Sequence, residues 1–384
     1  MRALLLTLFW LCAISVFGQN GINQITIKTD QDLFAPGNED RNYTMGFFLS
    51  VGGGSKLNSK YWLGLPYIRK HTLDKLVDKG LSSIFSPILF AGAREQYRFE
   101  VYGTAFTPEQ LSDTTADFSQ KIMEGYRLED DRPFSFVFGF TSERIKEIYE
   151  RRLNLFWPDD LQVTSGFSFA LYGTGIGDWF QSFVHENNCF GSTRPVPLLW
   201  KSDTSKPYPT GQIKRKAIPT FLFYNKLEKP LAILEKGNFR LITSLHNEVY
   251  LGYLTNTSFG GSFAFGKFQR RFTYASNIAN TGIGLFPAFA RSVGGWSIIG
   301  GYNLRFVGYN GHLSNIFDFT ANETGNALDA DVISRVIYEF YFGVTAEFQG
   351  FSINFIPLIR RSKEFDTPES RSHSYGSFSL AINI

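Results

Sequence analysis

Apolar and polar residues alternate along the C-terminal part of the chain. Between residues 336 and 348, one set of alternate positions is entirely apolar or aromatic. Its members are Val336, Tyr338, Phe340, Phe342, Val344, Ala346 and Phe348. A period of two sustained over this length predicts a β-strand. Gln349-Gly350 then offers a tight turn into a second alternating run at 351–355, so the region is predicted to form a hairpin.

The same alternation recurs along most of the chain. The last residues place Phe378, Leu380, Ile382 and Ile384 on one face, which is typical of the strand that closes a barrel. Similar segments occur at 25–31, 43–51, 95–106, 134–142, 146–157, 161–173, 218–227, 238–254, 258–268, 281–291 and 296–308. Together they predict about twelve to fourteen strands.

Two all-β architectures fit this strand pattern, a soluble β-sandwich and an antiparallel transmembrane β-barrel. Strands this long, with aromatic residues on the outer face of an exported chain, favour the barrel. The predicted fold is therefore an all-β, antiparallel transmembrane barrel of about twelve strands. Two stretches have helical rather than alternating spacing, residues 73–85 and 178–187, and they predict short loop helices at the barrel rim.

The beginning of the chain has the layout of a secretory signal. Arg2 precedes an apolar run at 3–17, and small residues lie near its end. Residues 1–18 are predicted to be a signal peptide, and residues 19–384 a single outer-membrane barrel domain. Cys12 lies within the signal, but it is not preceded by the small residues that a lipoprotein signal carries just before its cysteine, so lipid anchoring is not expected. Only Cys189 remains after processing, which excludes an intramolecular disulfide.

Composition agrees with strands that face lipid on one side and water on the other. The chain has 40 Phe, 18 Tyr, 6 Trp and 36 Gly. Beyond the signal, no apolar stretch approaches the roughly 18 residues of a helical membrane span, which leaves strands as the spanning elements. The net charge is +3 and there is no run of Lys or Arg, so nucleic-acid binding is not expected. The expected location is the bacterial outer membrane.

Acidic and hydroxyl side chains cluster beside the first two predicted strands. Asp30 lies at the end of one predicted strand and Asp32 directly after it, and Thr44 lies at the start of the next. Carboxylate and hydroxyl oxygens are ligands that a hard cation such as calcium prefers. The alternative interpretation is an ordinary solvated loop, where aspartates are common.

A second cluster lies in the predicted helix at 178–187. Gln181 and His185 are four residues apart, so their side chains share one helix face, where a histidine could act as a general base. Two structural alternatives stay open. Gln181 could be the capping partner of Asp178, and His185 could be a surface histidine. The four other histidines, His71, His246, His312 and His373, are interpreted as solvent or rim residues.

These clusters, in this order, resemble the LpxR-type family of lipid A 3'-O-deacylases. The closest motif is Asp-Arg-Asn-Tyr-Thr-Met-Gly at 40–46, and Asp-Asp-Arg-Pro-Phe at 130–134 also resembles the family. Gln181 and His185 match its Gln-x-x-x-His, while Arg-Ser-Lys-Glu-Phe at 361–365 and Tyr-Gly-Ser at 375–377 match near the end. The chain departs from the family pattern at three places. Gln31 stands where the family has asparagine, Leu199-Trp200 stands where it has Gly-Trp, and residues 201–217 resemble an insertion.

The resemblance implies an activity and a set of residue roles. The family's members are outer-membrane barrels that hydrolyse an ester-linked acyl chain of lipid A, so lipopolysaccharide would be the partner. His185 would be the general base, and Gln181 would orient water or substrate. Gln31 would replace the family's asparagine. Asp32 and Thr44 would bind a calcium ion that stabilises the oxyanion.

Two other functions remain possible from the sequence. An outer-membrane phospholipase would also cleave lipid esters, but it would use a serine nucleophile paired with a histidine. No serine of that type flanks His185. A non-catalytic barrel or channel that retains the motifs is the second alternative.

Overall fold

The structure, a computed structural model, describes residues 22–31, 34–35, 45–54, 65–84, 94–106, 132, 135–148, 161–172, 218–268, 277–278, 283–284, 294–314 and 328–383. The strands are β1 (Ile22–Gln31), β2 (Met45–Gly53), β3 (Arg94–Phe106), β4 (Ser135–Ile148), β5 (Leu161–Tyr172), β6 (Ile218–Lys236), β7 (Phe239–Gly252), β8 (Leu254–Lys267), β9 (Asn277–Ile278), β10 (Ile283–Gly284), β11 (Gly295–Asn310), β12 (Val336–Phe348), β13 (Phe351–Arg361) and β14 (His373–Asn383).

Twelve of these strands form a closed antiparallel barrel. Each strand pairs with its sequence neighbour, except that β8 pairs directly with β11, and β1 pairs with β14 to close the sheet. The predicted fold class and strand number are confirmed. The predicted break between 142 and 146 is wrong, because β4 runs through it without interruption from Ser135 to Ile148. The remainder of the segment predicted at 146–157 lies outside the described residues. Within the segment predicted at 281–291, the structure describes Ile283–Gly284, which pairs with β9 outside the barrel sheet.

The two ends of the barrel differ. The terminal end holds the start of β1, the end of β14 and the tight turns between β6 and β7 and between β12 and β13. Gly237 and Gly350 in these turns have φ angles of 61° and 95°, which favour glycine. At the opposite end, the connection between β7 and β8 is also short, but every other connection there is longer. Outer-membrane barrels place their short turns on the periplasmic side and their longer loops outside, so the terminal end faces the periplasm and the opposite end faces outward.

The outer face of the barrel is apolar. Exposed large side chains lie at alternate positions, as on β12, where Tyr338, Phe340, Phe342 and Val344 are 64%, 45%, 47% and 47% exposed. Near the terminal end, Phe239 stacks on Phe265 at 6.0 Å and meets Trp296 edge-on at 6.2 Å. Such an aromatic girdle marks the membrane–water interface of an outer-membrane barrel.

The lumen is filled by the other alternate positions. Six tyrosine side chains there are at most 1% exposed: Tyr102, Tyr172, Tyr224, Tyr250, Tyr253 and Tyr375. Gly166 lies directly beneath the ring of Tyr224, on the neighbouring strand. The described lumen is therefore a packed core of aromatic rings and paired charges.

A helical segment, residues 65–84, connects β2 to β3 at the terminal end. It comprises α1 (Leu65–Arg69), a π-helical turn (Lys70–Asp74) and α2 (Lys75–Ile84). The predicted helix at 73–85 is thus part of a longer one that begins eight residues earlier. In the described part of the chain, no helix is long and apolar enough to cross a membrane.

This helical segment packs against the outside of the barrel. Arg69 donates to Ser142 Oγ at 2.8 Å, and Ser165 Oγ donates to Asp74 at 2.6 Å. On β5, Ser165 shares its face with the lipid-facing Phe169, four positions further along and 41% exposed. The helix therefore lies against the outer wall, and we call residues 65–84 the outer helix.

Candidate functional site

Two strand ends that carry candidate residues lie next to each other at the outward-facing end of the barrel. In the ladder between β1 and β2, Asp30 is paired with Gly46, one position from the end of β1. On the other side of β1, Gln31 is paired with Gly376 of β14. Segments that are more than 340 positions apart in the sequence are thus brought into contact by barrel closure.

The side chains of consecutive β1 residues point to opposite faces of the barrel wall. Asp30 points into the lumen, where its carboxylate lies 2.9 Å from Lys28 Nζ, with both side chains fully buried. Lys28 also lies over the ring of Phe48, 4.4 Å from its centroid. Gln31 is 7% exposed and points to the outer face, where its amide donates to Thr29 Oγ1 at 3.4 Å. Of the five candidate site residues, Gln31 is the one that the structure describes.

The other four candidates, Asp32, Thr44, Gln181 and His185, lie outside the described residues. The predicted helix at 178–187 does so as well. Among the described residues, no three His, Cys, Asp or Glu side chains form a group that could hold a metal ion.

An ion-pair cluster at the outward-facing end of the barrel joins two of the sequence motifs. Arg132, from the motif at 130–134, pairs with Glu364, from the motif at 361–365. Arg361 bonds to the same glutamate at 3.1 Å and also pairs with Glu339 of β12. The Arg132 guanidinium lies over the ring of Phe106, 4.7 Å from its centroid. All these charges are buried, so their pairing holds the ends of β3, β12 and β13 in a fixed arrangement.

Further charged pairs occupy the lumen. Arg98 lies 3.3 Å from Glu143, which also accepts a hydrogen bond from the hydroxyl of Tyr224. Lys226 lies 3.2 Å from Glu248, and Tyr250 donates to Glu248 at 3.1 Å. Buried ions are stable only when they are paired and hydrogen-bonded, and this arrangement satisfies that condition.

A serine and a histidine meet at the outward end of the lumen. Ser135 Oγ lies 3.2 Å from His312 Nδ1, and each residue is 1% exposed. The ring of Phe106 lies 4.5 Å from the imidazole, and Tyr253 contacts it edge-on. Sequence reasoning missed this pair because the two residues are 177 positions apart. Ser135 directly follows the motif at 130–134, but nothing around His312 marks it as the partner.

The interpretation of the other histidines as solvent or rim residues is wrong for His246, which points into the lumen from the middle of β7 and is 4% exposed. His312 and His373 do lie at the outward rim, just after β11 and at the start of β14, but they are buried there, at 1% and 6% exposed. His71 is exposed on the outer helix, as expected.

Comparisons with known proteins give the fold. No protein-family model matches the chain, and no curated protein matches its sequence. Among solved structures, LpxR from Salmonella typhimurium matches with a TM-score of 0.62 and 13% identity, over 94% of this chain and 100% of that one. The chain has the fold of LpxR. The resemblance that the motifs suggested to the LpxR-type barrel is thus confirmed at the level of fold.

Other barrels match less well. The β domain of the Bordetella autotransporter Brka has a TM-score of 0.40 at 10% identity, over 95% of this chain and 100% of that one. The KdgM porin in complex with oligogalacturonate has a TM-score of 0.32 at 7% identity, over 94% and 99%. With its closed barrel, apolar outer face and aromatic girdle, the protein is a bacterial outer-membrane β-barrel.

Proposed function

We propose that the protein is an outer-membrane lipid A deacylase that hydrolyses an ester-linked 3'-acyloxyacyl chain. The observation that carries the proposal is the convergence of motif residues at the outward-facing end of the barrel. Arg132 pairs there with Glu364, and Gln31 pairs with Gly376, so segments that resemble the family in sequence also meet in space. In an outer membrane this end reaches the leaflet that contains lipopolysaccharide.

The proposed roles follow from what ester hydrolysis requires. His185 would take the proton from an attacking water, and the departing alcohol oxygen would then receive a proton. Gln181, on the same helix face, would orient the water or the substrate. Gln31 presents an amide in the place of the family's asparagine, at the end of β1.

A calcium ion fits the donors available beside β1 and β2. Asp32 directly follows β1 and Thr44 directly precedes β2, and these two strands are paired up to Asp30 and Gly46. A carboxylate and a hydroxyl are oxygen donors of the type that calcium takes, whereas Asp30 is already paired with Lys28. When bound, the ion would supply the positive charge that an oxyanion needs.

The decisive test compares lipid A from cells that express the wild-type chain and His185→Ala. Mass spectrometry should show loss of the acyloxyacyl group with the wild type, and at least about a hundredfold less product with the variant. Heat-modifiable gel migration should be unchanged, because a loop histidine adds little to the strand framework. Glu186→Gln is the matched control. If the histidine variant keeps full activity while the control loses it, the base is Glu186.

A phospholipase is the second candidate, and the Ser135–His312 pair is the observation that favours it. The pair resembles a nucleophile and its base, although both side chains are buried beneath aromatic rings. Ser135→Ala should leave lipid A deacylation unchanged if the pair is structural. Turnover of radiolabelled phospholipid that disappears in Ser135→Ala would favour the phospholipase instead.

A further inference from the structure

Near the terminal end, one sector of the outer wall carries several charged side chains. Near the terminal end, β3 presents Glu95 outward, and β4 presents Ser142, Arg144 and Lys146. The sector of β7, β8 and β11 presents Phe239, Phe265 and Trp296 at the same end. Charged side chains on the lipid-facing surface of a barrel are destabilising unless something other than lipid covers them.

The outer helix covers this charged sector. Asp78 accepts hydrogen bonds from Arg144 at 2.8 and 2.9 Å, and its carboxylate lies 3.5 Å from Lys146 Nζ. Asp74 lies 3.2 Å from Arg69 Nε, which belongs to the same helix. Apolar contacts flank the polar ones, since Leu65 packs with Phe99 and Phe167, and Val77 packs with Ile148 and Leu161.

The π-helical turn aligns the two halves of the outer helix on the wall. Each residue of a π-helix turns the chain by less than a residue of an α-helix does. Five such residues, Lys70–Asp74, therefore bring Asp74 and Asp78 back to the face that already holds Leu65 and Arg69. As a result, both acidic residues between 65 and 80 are turned toward the barrel.

The face turned away from the barrel combines apolar and basic residues. Tyr67, Ile68 and Leu76 are 59%, 39% and 71% exposed. The exposed charged residues between 65 and 80 are Lys70, Lys75 and Lys79, and none of the exposed positions in this range is acidic. Asp74 is buried, and Asp78, whose side chain is 38% exposed, is paired with Arg144 and Lys146 of the wall.

We propose that this outward face of the outer helix is a binding surface for anionic phospholipid in the periplasmic leaflet. A helix with apolar side chains interleaved with lysines lies in the membrane interface, where the apolar groups enter the acyl region and the ammonium groups contact anionic headgroups. The surface lies at the periplasmic end of the barrel and on its lipid-facing side. The lipid of the periplasmic leaflet is therefore adjacent to the helix.

The test locates anionic lipid next to the helix in the intact protein. A Leu76→Cys variant in a Cys189→Ser background would carry a fluorophore at position 76, and the barrel would be reconstituted in vesicles. Brominated acyl chains quench the fluorophore on contact and would be placed either on phosphatidylglycerol or on phosphatidylcholine at the same mole fraction. We expect several-fold stronger quenching by brominated phosphatidylglycerol at low salt, falling toward equality at high salt.

Charge-matched variants separate the helix from general electrostatics. Lys70→Gln, Lys75→Gln and Lys79→Gln together should abolish the preference for the anionic lipid. Lys236→Gln, Lys267→Gln and Lys363→Gln together remove the same charge from exposed positions elsewhere and should preserve it. Heat-modifiable migration verifies that each variant is folded. Equal quenching by the two lipids in the wild type, no quenching by either, or a preference that survives the helix substitutions would each overturn the proposal.

Discussion

Gly166 and Gly139 show how single residues determine the packing of the lumen. Each lies beneath a tyrosine of the neighbouring strand, Tyr224 in one case and Tyr102 in the other. A Cβ atom on Gly166 would lie 1.9 Å from Cζ of Tyr224. Tyr224 has little freedom to move away, because it is fully buried and donates a hydrogen bond to Glu143.

The first prediction at the residue scale is therefore that Gly166→Ala destabilises the barrel. Overpacking of a filled core costs about 1–3 kcal/mol. The temperature at which the folded band is lost in heat-modifiable gels should fall. Gly80→Ala on the outer helix is the control, since a Cβ there meets nothing within 4 Å and alanine favours helix. Equal midpoints for the two variants would contradict the close approach.

The second prediction at this scale concerns the metal. Chelation should abolish lipid A deacylation, and calcium should restore it better than magnesium, whose small shell tolerates irregular ligands poorly. Asp32→Ala should raise the calcium concentration needed for activity, while Asp331→Ala, an exposed acid elsewhere, should not. Full activity of the wild type in excess chelator would remove calcium from the mechanism.

At the scale of elements, the outer helix explains why the sequence pattern predicts two strands where the structure has the single strand β4. The outward positions of β4 change from Phe136, Phe138 and Phe140 to Ser142, Arg144 and Lys146. Because a helix rather than lipid covers the second half, the apolar face ends there, and the segment was divided into two strands. The start of the helix was missed for a related reason, since the π-helical turn interrupts the regular spacing of its wall-facing residues.

Attachment of the outer helix should depend on pH. Burial disfavours the charge on Asp78, but hydrogen bonds and charge from Arg144, together with Lys146, outweigh it and hold the pKa of Asp78 below its ordinary value of 3.8. A carboxyl with a lowered pKa contributes stability above its unfolded pKa and loses it as the pH falls through the folded value. The helix should therefore remain attached at neutral pH and loosen only in acid below pH 3.8.

Hydrogen exchange of residues 65–84 measures this dependence. Protection should fall in acid for the wild type, whereas Asp78→Asn should have lowered protection already at neutral pH. Asp331→Asn should behave as the wild type. Protection that is identical in the wild type and Asp78→Asn at every pH would show that the ion pair does not hold the helix.

At the scale of the whole molecule, alternation was sufficient for the fold because lipid and lumen impose different side chains on the two faces of a strand. It was not sufficient for the site. The contacts of Arg132 with Glu364 and of Gln31 with Gly376 depend on barrel closure, and no local pattern encodes which distant strand ends meet. Family-like motifs marked these segments, and one of them ends directly before Ser135, but nothing in the sequence marks His312 as its partner.

The packed lumen leads to the last prediction, which separates an enzyme from a channel. A porin conducts because its lumen is lined by water-exposed polar groups. Here Tyr102, Tyr224 and Tyr250 are at most 1% exposed, and Arg98 and Glu143 form a buried pair that contacts Tyr224. In planar bilayers the purified protein should therefore conduct far less than a general porin measured alongside it. Stable, porin-sized conductance steps would show that the lumen opens, and would favour a channel over the deacylase proposed above.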